Sequence, residues 1–356
     1  MSATDSSWPL SARIVVALLC GCVLTLSATR RGLDPLALAF GSQVTSASAG
    51  AGAGGAEAGA DFPEGGVLQP LADYDRSAWR MGEAWFLTYG DERFRLSRDA
   101  LIEEARGFRV FKHVRALGRE FLLPSWTARN AVLLREKRGG GYWAWKPHVL
   151  LRVMLEEMAE GDVMLYADAG CRLVADPTPY LQLAAANGAV LFAHMGDRQQ
   201  EFTKGYAFAA VGLDMGMWGL FGQTAGGILA LQRRPWVIQL LRQWDWLMTN
   251  DTDVVSDVDT SARVPNHLDF RGHRHDQSII SLLGYKHGLF MAPYESWPKH
   301  RARIVFAARR RIETEEQRAQ SLLELKARQK ATHSVTHSAA YTRTPSPSDG
   351  ADARRG

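Results

Sequence analysis

Short apolar runs alternate with segments of helical periodicity from Ala84 to Ser296. The runs have the length and bounding turn residues of buried strands, and they cover Ala84–Gly90, Val163–Asp168, Ala189–His194, Gly226–Gln232 and Leu289–Pro293, while Phe108–Val114 alternates with period two. Helices are predicted from Ser97 onward, after Pro177, and over Trp126–Lys137, Pro147–Ala159, Pro235–Met248 and Asp276–Gly284. Since continuously apolar strands separated by helices are typical of covered parallel sheets, the pattern predicts an α/β sandwich with a mostly parallel sheet.

The N-terminal segment departs from this alternation. Ile14–Ala28 is apolar and uncharged, with Arg13 before it and Arg30 and Arg31 after it. The run is short for a membrane span, which needs about 20 apolar residues. It fits a signal anchor, a cleaved signal peptide or an organelle transit peptide. An anchor would make the chain a single-pass membrane protein, in the Golgi or secretory lumen of a eukaryotic cell.

Composition divides the chain into six segments. Gly41–Gly66 is almost entirely Gly, Ala and Ser, so it cannot bury a core and is predicted to be a flexible stem. A charged helix is predicted over Glu313–Lys330, and the Ser/Thr/His/Pro-rich sequence after it is typical of disorder. The predicted segments are a short N-terminal stretch (1–12), a signal anchor or signal peptide (13–31), the stem (32–67), a folded domain (68–308), the charged helix (309–332) and a disordered tail (333–356).

The charge balance narrows the class of protein. The chain has 42 Lys/Arg and 38 Asp/Glu, of which 10 Lys/Arg and 6 Asp/Glu follow residue 308. The sequence before that point is therefore neutral, and the pI of about 9.0 belongs to the tail. This distribution does not indicate a nucleic-acid-binding core. The three cysteines, Cys20, Cys22 and Cys171, match neither a disulfide framework nor a zinc site.

A lone carboxylate, Asp168, ends the second apolar run. Burial of a carboxylate at a strand tip is unfavourable unless something compensates its charge. A divalent cation would do so, and Gly170 would let a diphosphate approach the backbone. Ligands of α/β sheets bind at the carboxyl ends of strands, which favours a binding role over the alternative, a simple turn cap.

A glycine-rich loop precedes a predicted helix at Gly139–His148, which reads GGGYWAWKPH. Trp143 and Trp145 can stack on a base or a sugar, and Lys146 at the helix start can neutralise phosphate. Burial of one of the two tryptophans in the core is the alternative. The loop lacks the Gly-Lys-Ser/Thr ending of a Walker motif.

A polar segment, His273–Ser278, precedes the last predicted helix and reads HRHDQS. Asp276 can cap that helix, or with His275 it can reach a metal or a sugar. Thr203 and Lys204 follow the third apolar run, which would let Lys204 face the same crevice. A solvated lysine beside a capping threonine is the alternative there.

The acidic loop Asn250–Arg263 contains two literal Asp-x-Asp sequences, at Asp251 and at Asp257. No apolar strand leads into either of them, so these carboxylates are expected to be solvated. Asn250 also begins a glycosylation sequon, a short pattern that occurs often by chance.

Five of these features resemble, in order, those of a family of GT-A-like nucleotide-diphospho-sugar glycosyltransferases. They are GYWxWKP, YxDAGC, the Thr203–Lys204 pair, Gln223 before TAGGILALQ, and HRHDQS, and together they span about Phe86 to Pro293. The resemblance implies a GT-A-like, Rossmann-like sandwich with a mixed, mostly parallel sheet. It further implies a hexosyltransferase-like enzyme that moves a sugar from a nucleoside-diphosphate donor to a hydroxyl of a glycan or glycoconjugate.

The resemblance also assigns roles to individual residues. GT-A enzymes hold Mn²⁺ or Mg²⁺ on the donor diphosphate with an Asp-x-Asp; Asp168 matches its first position, and Gly170 replaces the second. His275–Ser278 is similar to a donor-sugar segment of some retaining galactosyltransferases, which implies catalytic roles for Asp276 and Gln277 and a retaining outcome. Thr88, Tyr89 and Gly90 end the first strand and are expected to line the nucleotide pocket. The other predicted donor-binding residues are Trp143, Trp145, Lys146, Gly170, Thr203, Lys204 and His275.

Two other functions are compared with this one. A membrane-tethered, non-catalytic module that binds sugar nucleotides or glycans is the alternative, because the second Asp is replaced. A nicotinamide dehydrogenase is disfavoured because no Gly-x-Gly-x-x-Gly follows the first strand. The expected partners are a nucleotide-sugar donor, a glycan or glycoconjugate acceptor, and a membrane through the N-terminal segment, with no nucleic acid.

Overall fold

The computed structural model describes residues 71, 77–294, 304–306 and 310–327. The predicted anchor or signal, the stem and the C-terminal tail lie outside these residues. Within the described ranges, no helix is both long and apolar enough to cross a membrane.

A seven-stranded sheet forms the centre of the domain. Six strands follow the order β2-β1-β3-β7-β5-β6, and the seventh, β8, pairs with β5 outside that order. A separate two-stranded ribbon pairs β4 with β9. The strands are β1 Ala84–Tyr89, β2 His113–Leu117, β3 Val163–Ala167, β4 Arg172–Leu173, β5 Ala189–Arg198, β6 Gly222–Thr224, β7 Ile228–Gln232, β8 Phe290–Pro293 and β9 Val305–Phe306.

Helices cover both faces of this sheet. They are α1 Arg95–Phe108, α2 Pro124–Arg129, α3 Gly139–Tyr142, α4 Trp145–Glu156, α5 Thr178–Asn187, α6 Gln199–Phe202, α7 Gly205–Val211, α8 Met215–Trp218, α9 Pro235–Thr249, α10 Thr252–Val255, α11 His275–Lys286 and α12 over 315–327. Short 3₁₀ turns lie at Glu92–Phe94, Arg119–Phe121 and Leu133–Arg135.

The sheet is mixed, and five of its seven strands point the same way. β1 pairs in parallel with β2 and β3, and β5 with β8. β7 runs antiparallel to both β3 and β5, and β6 runs antiparallel to β5. The predicted fold class, α/β with a mixed and mostly parallel sheet, is confirmed.

Alternation along the strands builds one core layer on each face. Trp85 and Leu87 of β1 pack into the layer that contains α4, α9 and α11, whereas Ala84 and Phe86 pack into the layer that contains α1 and α5. Successive side chains of a strand point to opposite faces. With both faces covered, every residue of β1, β3 and β7 is buried, which explains why these strands read as continuous apolar runs.

Two helix predictions were wrong in detail. α1 begins at Arg95, and Ser97 lies inside its first turn, where the Ser97 Oγ accepts from the Ile312 N–H at 2.8 Å instead of capping the helix. The single helix predicted over Trp126–Lys137 is α2, which ends at Arg129, followed by a separate 3₁₀ turn.

Candidate active site

A cavity of about 1060 Å³ opens at the carboxyl ends of β1 and β3. Its walls come from the turn after β1, the glycine-rich loop before α4, the turn after β3, the turn before β7 and the start of α11. The carboxyl ends of parallel strands are where ligands bind in open α/β sheets. Since β7 is antiparallel to β3, its amino end lies at the same edge, where the Asp168 N–H donates to the Gly227 carbonyl at 2.9 Å.

The floor of this cavity is a carboxylate–ammonium–carboxylate cluster, in which the ammonium and one of the carboxylates are buried. The Lys146 Nζ lies 2.5 Å from Asp276 Oδ2, 3.2 Å from Asp168 Oδ1 and 2.9 Å from the Gly226 carbonyl oxygen, to which it donates. The lysine side chain is 1% exposed and the Asp276 side chain 7%, while the Asp168 side chain is 37% exposed. Asp168 is therefore the member of the cluster that a ligand in the cavity can reach.

One ammonium cannot neutralise two carboxylates, and the pKa values reflect this. Burial opposes the charge of Lys146, but attraction to Asp168 and Asp276 outweighs it and raises the lysine pKa. Burial, together with the negative charge of Asp168, raises the pKa of Asp276 to about 6, although Lys146 pulls it down. The cluster carries a net negative charge once both acids are ionised.

A pH-dependent stability is expected from Asp276. Its folded pKa of about 6 lies above the ordinary aspartate pKa of about 4, so between these values the folded state holds a proton that the unfolded state releases. Its contribution to the free energy of unfolding should fall as pH rises from about 4 to about 6, by on the order of 3 kcal/mol. Urea unfolding gives the free energy of unfolding of wild type and of Asp276→Asn at each pH. The difference between the two variants should change from about pH 4 to about pH 6 and level off above that range. A difference that does not change with pH would contradict the raised pKa.

The Asp168 carboxylate is held from one side and open on the other. The Tyr166 hydroxyl donates to Asp168 Oδ1 at 2.7 Å. A Cβ placed on Gly227 would lie 2.7 Å from Asp168 Oδ2, closer than real Cβ contacts come. A larger residue at position 227 would therefore collide with the Asp168 carboxylate and displace it.

The glycine-rich loop contains the short element α3, and its backbone is a left-handed turn rather than a regular α-helix. All five residues from Gly139 to Trp143 have positive φ, including Tyr142 at 54° and Trp143 at 60°. A non-glycine residue in this region carries a conformational strain of about 1 kcal/mol or more, which the surrounding structure must offset. The Trp145 Nε1–H donates to the Gly139 carbonyl at 2.9 Å, which ties the loop to the start of α4. The strained turn presents Trp143 to the cavity.

The aromatic residues differ in how open they are to a ligand. The rings of Tyr89 and Trp145 stack on each other at 3.8 Å, and both residues are under 8% exposed. Trp143 is half-buried, and its ring lies 5.7 Å from that of His275. Of Tyr89, Trp143 and Trp145, Trp143 is the ring most open to stacking on a base or sugar.

His275 and Gln277 place polar atoms at the N-terminal end of α11. The His275 Nδ1 lies 2.7 Å from the Val255 carbonyl, and burial lowers the pKa of this imidazole. The neutral ring then donates from Nδ1 and offers Nε2, which lies 3.7 Å from Asp257, as an acceptor. The Gln277 amide donates to Gln223 Oε1 at 2.8 Å and is fixed by that bond.

The rim of the cavity is basic. Nine Lys/Arg and five Asp/Glu side chains line the cavity, and the cations are Arg93, Arg119, Arg135, Lys137, Arg138, Lys146, Arg274, Arg310 and Arg311. Most of them pair with an acidic residue, such as Arg138 with Asp257 at 3.2 Å. Arg119, Arg135 and Lys137 are exposed and form no ion pair within the described ranges. These three cations suit an anionic ligand.

The metal ion expected at Asp168 stays a prediction, and the side chains around that position offer few free ligands for it. Asp168 Oδ1 and Asp276 Oδ2 both face the Lys146 ammonium, and Gly170 supplies no side-chain ligand. Among the described residues, no group of three His, Cys, Asp or Glu side chains is placed to hold a metal. The positive charge that contacts both carboxylates in this structure is the Lys146 ammonium.

Most of the residues named from the sequence line this one cavity. They are Tyr89, Gly90, Trp143, Trp145, Lys146, Asp168, Gly170, His275, Asp276 and Gln277. Thr88, Thr203 and Lys204 do not line it. Thr88 is fully buried, and Thr203 lies in a polar network, where its hydroxyl donates to Gln199 Oε1 at 3.0 Å.

Lys204 was expected to face the crevice, and the structure places it elsewhere. Its Nζ donates to the Ser256 carbonyl at 2.8 Å, and the residue is 3% exposed. Burial lowers its pKa to about 8. Lys204 holds the acidic loop in place, because a buried amine satisfies backbone carbonyls that would otherwise lack donors.

The acidic loop is also more than a solvated segment. Asp251 accepts from the Tyr206 hydroxyl at 2.7 Å, and Asp257 pairs with Arg138 on the cavity rim. Neither this contact nor the rim cations were predicted from the sequence. The basic run Arg135–Arg138 directly before the glycines was the signal that could have identified the rim.

Comparisons with known proteins give matches among solved structures and none among protein families or curated proteins. Neither a scan of known protein families nor a search of curated proteins gives a match. Among solved structures, the chain matches the apo structure of WbbM, a bifunctional glycosyltransferase, at 12% identity and a TM-score of 0.34, over 65% of this chain and 40% of WbbM.

Two further matches have similar scores. Mouse xyloside xylosyltransferase 1, in its apo form, gives 8% identity and a TM-score of 0.34 over 62% of this chain and 90% of that one. The galactosyltransferase LgtC, solved with donor and acceptor sugar analogs, gives 14% identity and a TM-score of 0.33 over 60% and 73%. At these scores the chemistry of this chain has to be inferred from its own cavity.

Proposed function

We propose that this protein is a glycosyltransferase that binds a nucleoside-diphosphate sugar in the cavity and transfers the sugar to a hydroxyl group of a glycan or glycoconjugate. The Asp168–Lys146–Asp276 cluster on the cavity floor is the observation that carries the proposal. It places a reachable carboxylate beneath a basic rim, at the carboxyl ends of two parallel strands. The motif resemblance points to the same activity.

Each part of such a donor has a matching surface. The cavity, about 1060 Å³, is at the upper end of the range for small-molecule sites, which leaves space for a donor and an acceptor group. Carboxylate oxygens accept hydrogen bonds from sugar hydroxyls, and Asp168 offers its open side to them. Trp143 offers a ring face for a base or sugar.

The chemical demand of the reaction is to stabilise the departing diphosphate. Negative charge grows on that group as the glycosidic bond breaks, and preorganised cations lower the barrier. Arg119, Arg135 and Lys137 are the cations of the rim without an acidic partner in the described part of the chain, so they are assigned this role. Asp276 and Gln277, fixed by Lys146 and Gln223, are assigned the orientation of the sugar.

Finer features of the enzyme rest on sequence alone. Retention of configuration and hexosyl specificity are proposed from the similarity of His275–Ser278 to retaining galactosyltransferases. A single-pass anchor and a secretory or Golgi location are proposed from the apolar run Ile14–Ala28.

Thermal unfolding with a panel of nucleoside-diphosphate sugars tests the function. A donor present at a hundred times its dissociation constant stabilises a protein by about 2.7 kcal/mol. One donor is expected to raise the melting temperature of the purified full chain and to be converted to free nucleoside diphosphate. Stabilisation without any conversion would indicate the non-catalytic binding module instead, and no stabilisation across the panel would reject the proposal.

Gly227→Ala should impair the site without a change in the fold. The added methyl group would lie 2.7 Å from Asp168 Oδ2, so the carboxylate must move. A displacement of about 1 Å at a reacting centre can lower a rate by on the order of 10²-fold. The measurement is nucleoside diphosphate release at saturating donor.

Gly196→Ala is the matched control, because a Cβ there meets no atom within 4 Å. It should release nucleoside diphosphate at the wild-type rate. If Gly227→Ala behaved like this control, the position of Asp168 would not matter to the reaction.

A further inference from the structure

The Lys146 ammonium lies among three oxygen atoms, as a divalent cation does in a site of hard ligands. Two carboxylates and one backbone carbonyl surround it, at 2.5, 3.2 and 2.9 Å. Carboxylate and carbonyl oxygens are the ligands that Mg²⁺ and Mn²⁺ prefer. Here the three oxygens all face one ammonium. An ammonium has three N–H donors, one for each of these oxygens.

We propose that Lys146 is an internal cation that takes the place of a divalent metal ion, so that sugar transfer at this site does not depend on added metal. This inference rests on the proposed function. Because its donors are used within the protein, Lys146 is a positioning residue. It holds Asp276 and Asp168 in place, and the open side of Asp168 faces the donor.

Two observations support a chain-derived cation over a metal. Gly170 stands where a second carboxylate would complete an Asp-x-Asp pair, and the described residues contain no three-ligand cluster. The rim supplies the second function that a metal would serve, since Arg119, Arg135 and Lys137 can meet the diphosphate directly. Positive charge is thus divided between a buried ammonium and a basic rim.

The first test measures donor binding and turnover by the wild-type full chain in EDTA and in millimolar Mn²⁺ or Mg²⁺. Dissociation constants from calorimetry and rates of nucleoside diphosphate release are expected to agree within about twofold between these conditions. A divalent ion that strengthens binding or raises the rate by about tenfold or more would overturn the inference.

The second test asks whether removal of the ammonium creates a metal site. Lys146→Ala leaves two carboxylates and a carbonyl around an empty position, so Mn²⁺ should bind this variant and raise its melting temperature. Wild type should show no such shift, and neither should Lys146→Ala combined with Asp276→Asn, which lacks one ligand. A purely structural lysine would produce no metal response, and that result would overturn the inference.

The outcomes separate the inference from the function on which it rests. A donor that binds only with metal would overturn the internal cation and leave the glycosyltransferase standing. A panel in which no donor binds in any condition would reject the function, and the Mn²⁺ response of Lys146→Ala would still decide whether the ammonium occupies a cation position. If Lys146→Ala folds only when Mn²⁺ is present, that outcome supports the inference.

Discussion

Lys146→Met is expected to lower the free energy of unfolding by about 3–5 kcal/mol, because loss of one partner of a buried ion pair leaves an uncompensated charge. In this chain two carboxylates would lose their shared ammonium, and Asp276 is 5% exposed. Methionine fills most of the volume of the lysine side chain. The decrease in the free energy of unfolding is therefore caused mainly by the lost charge and less by lost packing. Urea unfolding followed by tryptophan fluorescence measures it.

Lys204→Met is the matched control for this prediction. Lys204 is also buried, but its amine donates to backbone carbonyls of the acidic loop and forms no ion pair within the described ranges. Its replacement should destabilise by about 1–3 kcal/mol, the penalty for unsatisfied polar groups. Adding Asp276→Asn to Lys146→Met should restore part of the stability, since one orphaned charge is then removed. Equal losses for Lys146→Met and Lys204→Met would contradict a charge cluster at the cavity floor.

Asp168→Asn is expected to slow nucleoside diphosphate release by on the order of 10²-fold or more while the protein stays folded. The amide keeps an oxygen for the Tyr166 hydroxyl but loses the negative charge that holds Lys146 and faces the cavity. The rate at saturating donor should fall more than the donor affinity, because the group acts on the geometry of the reaction.

Asp176→Asn supplies the control for the same chemical change. Asp176 lies on the surface, where its Oδ1 accepts from the Thr178 N–H at 2.9 Å. This variant should retain the wild-type rate. A wild-type rate in Asp168→Asn would remove Asp168 from the reaction, whatever the effect on stability.

The elements of the fold were predictable where local pattern and burial agree. β1 and β3 are covered on both faces, so burial requires apolar residues at every position, and the runs in the sequence show that directly. The direction of β7 was not predictable, because an apolar run carries no information on which neighbour it pairs with. Its antiparallel insertion between β3 and β5 brings Gly227 beside Asp168.

Individual residues of the candidate site could be predicted from the sequence, but the contacts between them could not. Asp168, Lys146 and Asp276 each stood out from local sequence, but Lys146 and Asp276 are 130 positions apart and their contact depends on tertiary structure. The same limit explains Lys204. Its short distance from the third strand in sequence suggested the crevice, whereas the fold directs its amine to the Ser256 carbonyl.

Hydrogen exchange of the full chain, with and without a donor that stabilises it, tests most directly whether the cavity is the donor site. Donor is expected to slow exchange in the glycine-rich loop 136–143, the turn 168–171 and the turn 225–227, which line the cavity floor and rim. Peptides over the surface helix α8 should exchange as before. Slowed exchange confined to other faces of the domain, with these three segments unchanged, would contradict the assignment of the cavity.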